Sequence, residues 1–248
     1  MKKCMILSAF AALAIAFSGC DNGSSNKFRM ITEATFPPYE FLRGQEIVGI
    51  DVEIGKAVAA KLGREFSVET VNFDSVIPAV ISGKADIAAA GITVTEDRKK
   101  NVDFSIPYVK TGVVFIYKKD SPFLKGEEAK GKKVGVQSGT TSETYVIDEL
   151  KQDPERFDSP AAAVAALQAG RVDCVIADVD PAKNCVKGVE NLAVSDFITS
   201  EEYAVALRKG QPELLKAVNE VITELKSSGK LDAIVEQFTE EANKLKDK

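Results

Sequence analysis

Residues 66–90 read FSVETVNFDSVIPAVISGKADIAAA and place one helical run between two β-type runs. Residues 66–71 and 86–90 are short and largely apolar or β-branched, as buried strands are. Between them, Asp74 can cap a short helix that ends at Gly83. The stretch therefore predicts a β-α-β unit, and with it a largely parallel sheet.

A strand and a helix of the same kind precede this unit. Residues 28–32 form the first predicted strand, and Asp51 can cap a helix that stops at Gly63. The apolar residues that share one face of this helix are Ile54, Ala57, Val58 and Leu62. Residues 28–90 thus predict one lobe with the order β-α-β-α-β.

The second half of the chain repeats this alternation. Its predicted strands lie at residues 113–117, 133–137, 172–177 and 203–207. Its predicted helices lie at residues 142–151, 160–169, 212–227 and 230–245. The last two helices are amphipathic, and we expect them to pack against the first lobe. The fold class predicted is α/β, with two lobes.

The composition excludes several classes of function. The 248 residues are 45% hydrophobic, which is enough for one large domain or two small lobes. The sequence contains no histidine, which excludes Ser-His-Asp and Cys-His catalysis and zinc sites built on imidazole. The net charge of −5 disfavours binding to nucleic acid. We expect no cofactor and no bound metal.

The N-terminus has the pattern of a secretory leader. Two lysines precede an apolar run at residues 5–17, which is too short to span a bilayer. The run ends in Phe17-Ser18-Gly19-Cys20, which resembles a bacterial lipoprotein signal. We therefore expect residues 1–19 to be removed, Cys20 to be acylated and residues 20–26 to form a flexible tether. An ordinary signal peptide with a chance cysteine is the alternative.

Two cysteines remain outside the leader. Cys174 and Cys185 are eleven positions apart, which does not fit a CxxC metal or redox motif. An exported protein permits a disulfide between them, although its geometry is demanding. Two buried thiols are the simpler prediction.

A ligand of an open parallel sheet binds outside the carboxyl ends of the strands. The candidate ligand-binding residues that follow predicted strands or open the next helix are Glu33, Phe36, Phe73, Gly91, Thr93, Arg98, Gln137, Thr140, Thr141 and Asp178. Taken together, this set is complementary to a zwitterion.

Each end of a free amino acid finds a partner in this set. The planar guanidinium of Arg98 fits a carboxylate, and the amides and hydroxyls near Thr93 and Thr141 can complete an anion site. Asp178 would hold the ammonium. Phe36 and Phe73 supply apolar faces for the stem of the ligand side chain, and Glu33 is left for its distal polar group.

Each assignment has an alternative. Arg98 lies in the charged run at residues 96–100, which taken alone favours a solvated helix face. Phe36 and Phe73 could be core residues, and Asp178 could cap the following helix. Residues 139–141 are similar to a phosphate loop but lack its GK[ST] ending. Only the joint placement after strands of both lobes favours a ligand site.

Five stretches in this order resemble the bacterial extracellular solute-binding proteins, family 3, which are periplasmic polar amino acid binders of ABC transporters. They are FPPYEF (36–41), VGIDVEI (48–54), GITVTEDR (91–98), DFSIPY (103–108) and VGVQSGTT (134–141). The resemblance covers residues 27–238. It implies a two-lobed, type II periplasmic-binding-protein-like fold, in which each lobe is a mostly parallel sheet flanked by helices.

The resemblance also implies how the chain is divided and used. Two crossover strands would join the lobes, with hinges near residues 108–112 and 199–203. The lobes would be residues 27–110 and 111–201, and residues 202–248 would return to the first. Family members also imply that Arg98 binds the α-carboxylate and Asp178 the α-ammonium.

Three positions limit which amino acid the ligand can be. Glutamine-binding relatives have histidine and lysine where this chain has Ala177 and Gln137, which disfavours glutamine. Glu33 matches a position that is acidic in binders of lysine, arginine and histidine, and cystine binders are similar there. We expect a basic or other polar L-amino acid.

The predicted function is that of a monomeric, lipid-anchored substrate-binding protein outside the cytoplasm. It would close around one amino acid like a Venus flytrap and deliver it to ABC transporter permease subunits, without enzymatic activity. The alternatives are a cyclohexadienyl dehydratase-like enzyme with Glu33 as general acid, and a sensory module for a separate receptor.

Overall fold

The computed structural model describes residues 26–123 and 125–245. The strands are β1 (Lys27–Thr32), β2 (Thr35–Phe36), β3 (Glu40–Arg43), β4 (Glu46–Val48), β5 (Glu65–Thr70), β6 (Ile87–Ala88), β7 (Val102–Phe104), β8 (Val109–Lys118), β9 (Val134–Gln137), β10 (Glu155–Phe157), β11 (Cys174–Asp178), β12 (Leu192–Val194), β13 (Thr199–Tyr203) and β14 (Ala206–Arg208). The α-helices are α1 (Ile50–Lys61), α2 (Val76–Ile81), α3 (Glu96–Lys99), α4 (Thr141–Asp148), α5 (Pro160–Gln168), α6 (Val179–Val186), α7 (Pro212–Ser227) and α8 (Lys230–Leu245). Short 3-10 turns cover Phe73–Ser75 and Gly126–Ala129.

The first lobe is built on a sheet with the order β5-β1-β6-β14-β7. Strand β1 runs parallel to both β5 and β6, as the β-α-β pattern predicts. Strand β14 comes from the C-terminal part of the chain and pairs antiparallel with β6 and β7. The first lobe is therefore completed by a segment that returns from the second.

The second lobe has the sheet order β10-β9-β11-β8-β12. Strand β9 is parallel to β10 and β11, while β8 is antiparallel to β11 and β12. Both lobes thus contain mixed sheets, because a strand that arrives from the other lobe runs against its neighbours. The predicted two-lobed α/β fold is confirmed, but its sheets are mixed and not mostly parallel as predicted.

Strands β8 and β13 carry the chain between the two sheets. They pair antiparallel from Val109 opposite Tyr203 to Val113 opposite Thr199. At the first-lobe end, the amide of Tyr108 donates to the carbonyl of Tyr203 at 2.9 Å. The two crossings therefore form one hydrogen-bonded ribbon, which includes the segments predicted to be hinges.

Helices α7 and α8 have the predicted bounds and pack against the first lobe. Val218, Ile222 and Phe238 join the buried cluster that contains Phe28 and other residues of the first sheet and α1. None of the described helices is long and apolar enough to cross a membrane. The leader, including Cys20, lies outside the described residues.

Two predicted helix caps are wrong. Helix α1 starts at Ile50 with Gly49 as N-cap, and Asp51 lies inside its first turn, fully buried. Asp74 sits in a 3-10 turn, and α2 begins only at Val76, with no capping bond from a side chain. Both aspartates carry the local signal of a cap, but Asp51 is bonded to distant residues instead.

The predicted disulfide alternative is also not observed. Cys174 lies on β11 with 0% exposure, and Cys185 lies on α6 and is half-buried. Both residues are thiols. Their burial differs because β11 is a central strand of its sheet, whereas α6 covers that sheet from outside.

Candidate functional site

Arg98 turns away from the charged surface on which its neighbours lie. The Thr95 hydroxyl caps α3 by accepting the Arg98 amide at 3.1 Å. The guanidinium donates through Nη1 to the carbonyl oxygen of Thr93 at 2.8 Å and through Nη2 to that of Gly139 at 3.0 Å. Its Cζ lies 5.5 Å from the centre of the Phe73 ring. The structure therefore favours a cleft residue over a solvated helix face.

Asp178 ends β11 and lies at the N-cap of α6. Its carboxylate makes no capping hydrogen bond, and the residue is 7% exposed. Oδ1 is buried and has no hydrogen-bond partner in the described part of the chain. Buried carboxylate oxygens normally have partners, so an atom left without one needs an explanation. Capping of α6 does not supply it.

Arg98 and Asp178 belong to different lobes and act on each other electrostatically. Burial, together with the nearby charge of Glu201, raises the pKa of Asp178 to about 7, and Tyr203 and Arg98 oppose the rise. Burial lowers the pKa of Arg98, and Glu201 and Asp178 oppose this. The predicted guanidinium and carboxylate therefore act on each other's charge, and their binding of one ligand stays a prediction.

Glu33 and Gln137 meet at another part of the cleft. Glu33 follows β1 with 4% exposure; Oε1 accepts from the Thr35 hydroxyl, and Oε2 has no partner in the described chain. Burial raises the pKa of Glu33, and the nearby polar groups of Thr35 and Gln137 oppose the rise. Gln137 also donates through Nε2 to the carbonyl of Asp158 at 3.0 Å. A first-lobe carboxyl therefore faces a second-lobe amide.

Phe36 and Gly91 are in direct contact. Phe36 is 5% exposed and packs with Tyr39 and Tyr203, at ring-centre distances of 5.8 and 6.4 Å. Gly91 has φ of 55°, and a Cβ there would lie 2.7 Å from Cε1 of Phe36. Its amide donates to Oδ2 of Asp51 at 2.9 Å. Phe36 is thus a core residue, and its contact with a ligand stays a prediction.

The threonines of the site differ in how their hydroxyls are used. Thr140 accepts the amide of Glu143 at 3.3 Å and donates to the carbonyl of Gln137 at 2.7 Å, so its hydroxyl serves as the cap of α4. The Thr93 hydroxyl donates to Oε2 of Glu201 at 2.5 Å. Thr141 is half-buried and lines an open cavity of about 1620 Å³. Of these three threonines, only Thr141 has a hydroxyl without a hydrogen bond among the described residues, and its contact with an anion stays a prediction.

The predicted residues do not all share that cavity. Thr93, Arg98 and Thr141 line it, whereas the other predicted residues, Glu33, Phe36, Phe73, Gly91, Gln137, Thr140 and Asp178, lie outside its lining. These two sets are connected by the contact of Arg98 with Phe73 and by its interaction with Asp178. The site therefore extends inward from the open cavity.

The lobes also contact each other directly. The Tyr39 hydroxyl donates to Oδ2 of Asp180 at 2.6 Å, and Nδ2 of Asn184 donates to the carbonyl of Pro37 at 2.7 Å. Sequence reasoning missed Tyr39, Asp180, Asn184 and Glu201. Their partners lie more than a hundred residues away in the sequence, and no local pattern reveals such a contact.

Two α/β lobes joined by a paired ribbon, with polar side chains of both lobes converging between them, define a cleft-type solute-binding protein. The chain belongs to the bacterial extracellular solute-binding proteins, family 3, whose family model matches residues 28–241. Similar proteins include the L-cystine-binding protein TcyJ of Escherichia coli K12, 32% identical over 94% of this chain and 92% of TcyJ.

Two further similarities support this assignment. The arginine-binding extracellular protein ArtP of Bacillus subtilis 168 is 32% identical over 96% of this chain and 98% of ArtP. An ancestral arginine-binding protein, solved with arginine bound, matches with a TM-score of 0.80 and 40% identity over 86% of this chain and 98% of that chain. The similarity therefore spans both lobes.

Proposed function

We propose that this protein binds one free polar, preferably basic, L-amino acid between its lobes and delivers it to the permease of an ABC importer. The observation that carries the proposal is the pair formed by Arg98 and Asp178, which come from different lobes and interact electrostatically. A guanidinium binds an α-carboxylate through two parallel hydrogen bonds, and a buried carboxylate binds an ammonium. Similar proteins bind arginine and cystine.

The preference for a basic ligand is supported by the charge of the cleft. Glu33 and Asp178 each have a buried carboxylate oxygen without a partner in the described chain, and Glu40 and Asp51 lie fully buried nearby. An ammonium at Asp178 and a cationic side-chain group at Glu33 would satisfy both unpartnered oxygens. A neutral side chain would leave Glu33 a buried acid without a counter-charge.

Closure follows from the distribution of these groups. A ligand held by Arg98 of the first lobe and Asp178 of the second makes its full set of contacts only when the lobes are together, which favours the closed state. The hydrogen bond of Tyr39 with Asp180 would add to this preference. We propose the lobe bounds 27–110, 111–201 and 202–248, with the ribbon of β8 and β13 as hinge.

We further propose that Cys20 is acylated and holds a monomeric protein at the outer face of the membrane. The proposal rests on the sequence alone, since residues 1–25 lie outside the described chain. Incorporation of labelled palmitate into the full-length protein should be lost in C20S. Equal labelling of C20S would refute the anchor.

A ligand screen tests the central proposal. The expected result is that one basic amino acid, from a panel of the twenty with ornithine, citrulline and cystine, raises the melting temperature and binds with 1:1 stoichiometry in calorimetry. Glu33→Gln should weaken a basic ligand by about tenfold and a neutral one by less, since it removes a desolvated charge. Recovery of the bound amino acid unchanged would support a binding role, and its conversion would refute it. Absence of binding across the panel would refute the proposed ligand class.

A further inference from the structure

Glu201 lies on the ribbon that joins the lobes. It belongs to β13, pairs with Thr111 of β8 and is half-buried. Its Oε2 accepts the Thr93 hydroxyl at 2.5 Å, and the residue lines the open cavity together with Arg98 and Thr141. The next residue, Glu202, pairs with Lys110 at 3.8 Å and is half-exposed. Glu202 also borders this cavity, but of the two only Glu201 bonds to a predicted site residue in the described chain.

The bond to Glu201 determines what Thr93 can offer a ligand. A hydroxyl has one proton, and Thr93 gives it to a carboxylate. Its oxygen can then only accept a hydrogen bond, so it is suited to an ammonium and not to a carboxylate. The carbonyl of the same residue accepts from Nη1 of Arg98 at 2.8 Å. Glu201 is thereby connected, through one residue, to the guanidinium.

The negative charges near Thr93 also favour the ammonium end of the ligand. The negative charges of Glu201 and Asp178 both act on the Arg98 guanidinium. Glu201 also raises the pKa of Asp178, as a like charge does. An ammonium bound at Asp178 would therefore also lie in the field of Glu201.

We propose that Glu201 is a positioning residue of the amino acid site, which orients the Thr93 hydroxyl as an acceptor for the α-ammonium and adds a second negative charge at that end. This inference rests on the proposed function and extends it to a residue of the hinge ribbon. It also assigns Thr93 to the ammonium end, where the sequence had suggested the carboxylate end.

The test compares E201Q with E202Q, at the next residue of the same strand, whose carboxylate pairs with Lys110 and not with Thr93. With the best ligand of the screen at pH 8, E201Q should bind about tenfold more weakly, and E202Q should stay within about twofold of wild type. Glutamine can still accept from Thr93, so the melting temperature of ligand-free E201Q should remain near that of wild type. Thr93→Val should lose affinity similarly, and the double variant should lose less than the sum.

A pH profile separates this role from a structural one. The charged and titratable groups that act on Asp178 are Arg98, Glu201, Tyr203, Tyr39 and Glu40. Wild-type affinity should fall from pH 8 to pH 6 as Asp178 gains a proton, since its pKa is about 7. In E201Q the nearby like charge is absent, so the fall should be smaller. E202Q should follow wild type.

The possible outcomes are distinct. Weaker binding by E201Q with a flatter pH profile supports the inference. Wild-type affinity and pH profile in E201Q, or equal losses in E201Q and E202Q, overturn it while leaving the proposed function intact. If wild type binds none of the amino acids, the proposed function fails and this inference fails with it.

Discussion

Replacing Asp178 by asparagine should make the ligand-free protein more stable and unable to bind its ligand. Asp178 is 7% exposed, and its pKa rises from an ordinary 3.8 to about 7, chiefly through burial. Because the folded state holds the proton of Asp178 more tightly, the contribution of this one group to stability is fully present below about pH 4 and is lost as the pH rises to 7. A pKa shift of this size corresponds to a decrease on the order of 4 kcal/mol in the free energy of unfolding once Asp178 is ionised.

Asparagine keeps the shape of the side chain and removes the charge. We expect the free energy of unfolding of D178N to exceed that of wild type by about 2 kcal/mol at pH 8, and the difference to shrink toward pH 4. This expected gain is smaller than the free energy that corresponds to the whole pKa shift, because the asparagine amide must still form hydrogen bonds in the same site. Affinity should drop by at least about 100-fold, since the ligand ammonium would be left buried without a counter-charge.

Urea unfolding of the ligand-free protein between pH 4 and pH 8, with calorimetry at pH 8, measures both effects. D196N, at an exposed aspartate of the same lobe, is the matched control and should change neither. If D178N is less stable than wild type at pH 8, Asp178 has a structural role. If D178N binds normally, the ammonium site lies elsewhere.

Three further substitutions test the surroundings of the site. Gly91→Ala should reduce the free energy of unfolding by about 2 kcal/mol or more, because Gly91 has φ of 55° and a Cβ there would lie 2.7 Å from the Phe36 ring. Wild-type stability of this variant in urea would contradict the prediction. Tyr39→Phe should weaken ligand binding several-fold, by about 1 kcal/mol, because it removes the 2.6 Å hydrogen bond to Asp180 between the lobes. Unchanged affinity in calorimetry would show that this hydrogen bond does not favour closure. Glu40→Gln should be at least as stable as wild type at pH 8, because burial raises the pKa of Glu40 well above its usual range. The gain in the free energy of unfolding should be smaller at pH 5. A clear decrease in this free energy in urea melts at pH 8 would argue against a neutral Glu40.

Much of the fold could be predicted from local signals. Helix α7 has Pro212 in its first turn, and Gly229 separates it from α8, so both helices were placed with the observed bounds. Ser159 likewise caps α5 as its sequence suggests, by accepting the amide of Ala162 at 3.2 Å. In these cases the deciding contacts lie within a few residues of each other.

The incorrect and missing predictions concern residues whose partners are distant in sequence. Asp51 has the local signal of a cap, but its carboxylate accepts from Gly91 and from the Tyr108 hydroxyl at 2.8 Å, which are far away in sequence. Glu201 could not be chosen over Glu202 because strand alternation separates their faces without naming the inner one. Partners brought together only by the fold of both lobes could not be read from one sequence.

A crystal structure with the best amino acid of the screen bound tests the central claim most directly. We expect one ligand between the lobes, with its α-carboxylate within hydrogen-bonding distance of the Arg98 guanidinium and its α-ammonium on Asp178. A ligand bound in the reverse orientation, or outside this cleft, would contradict it.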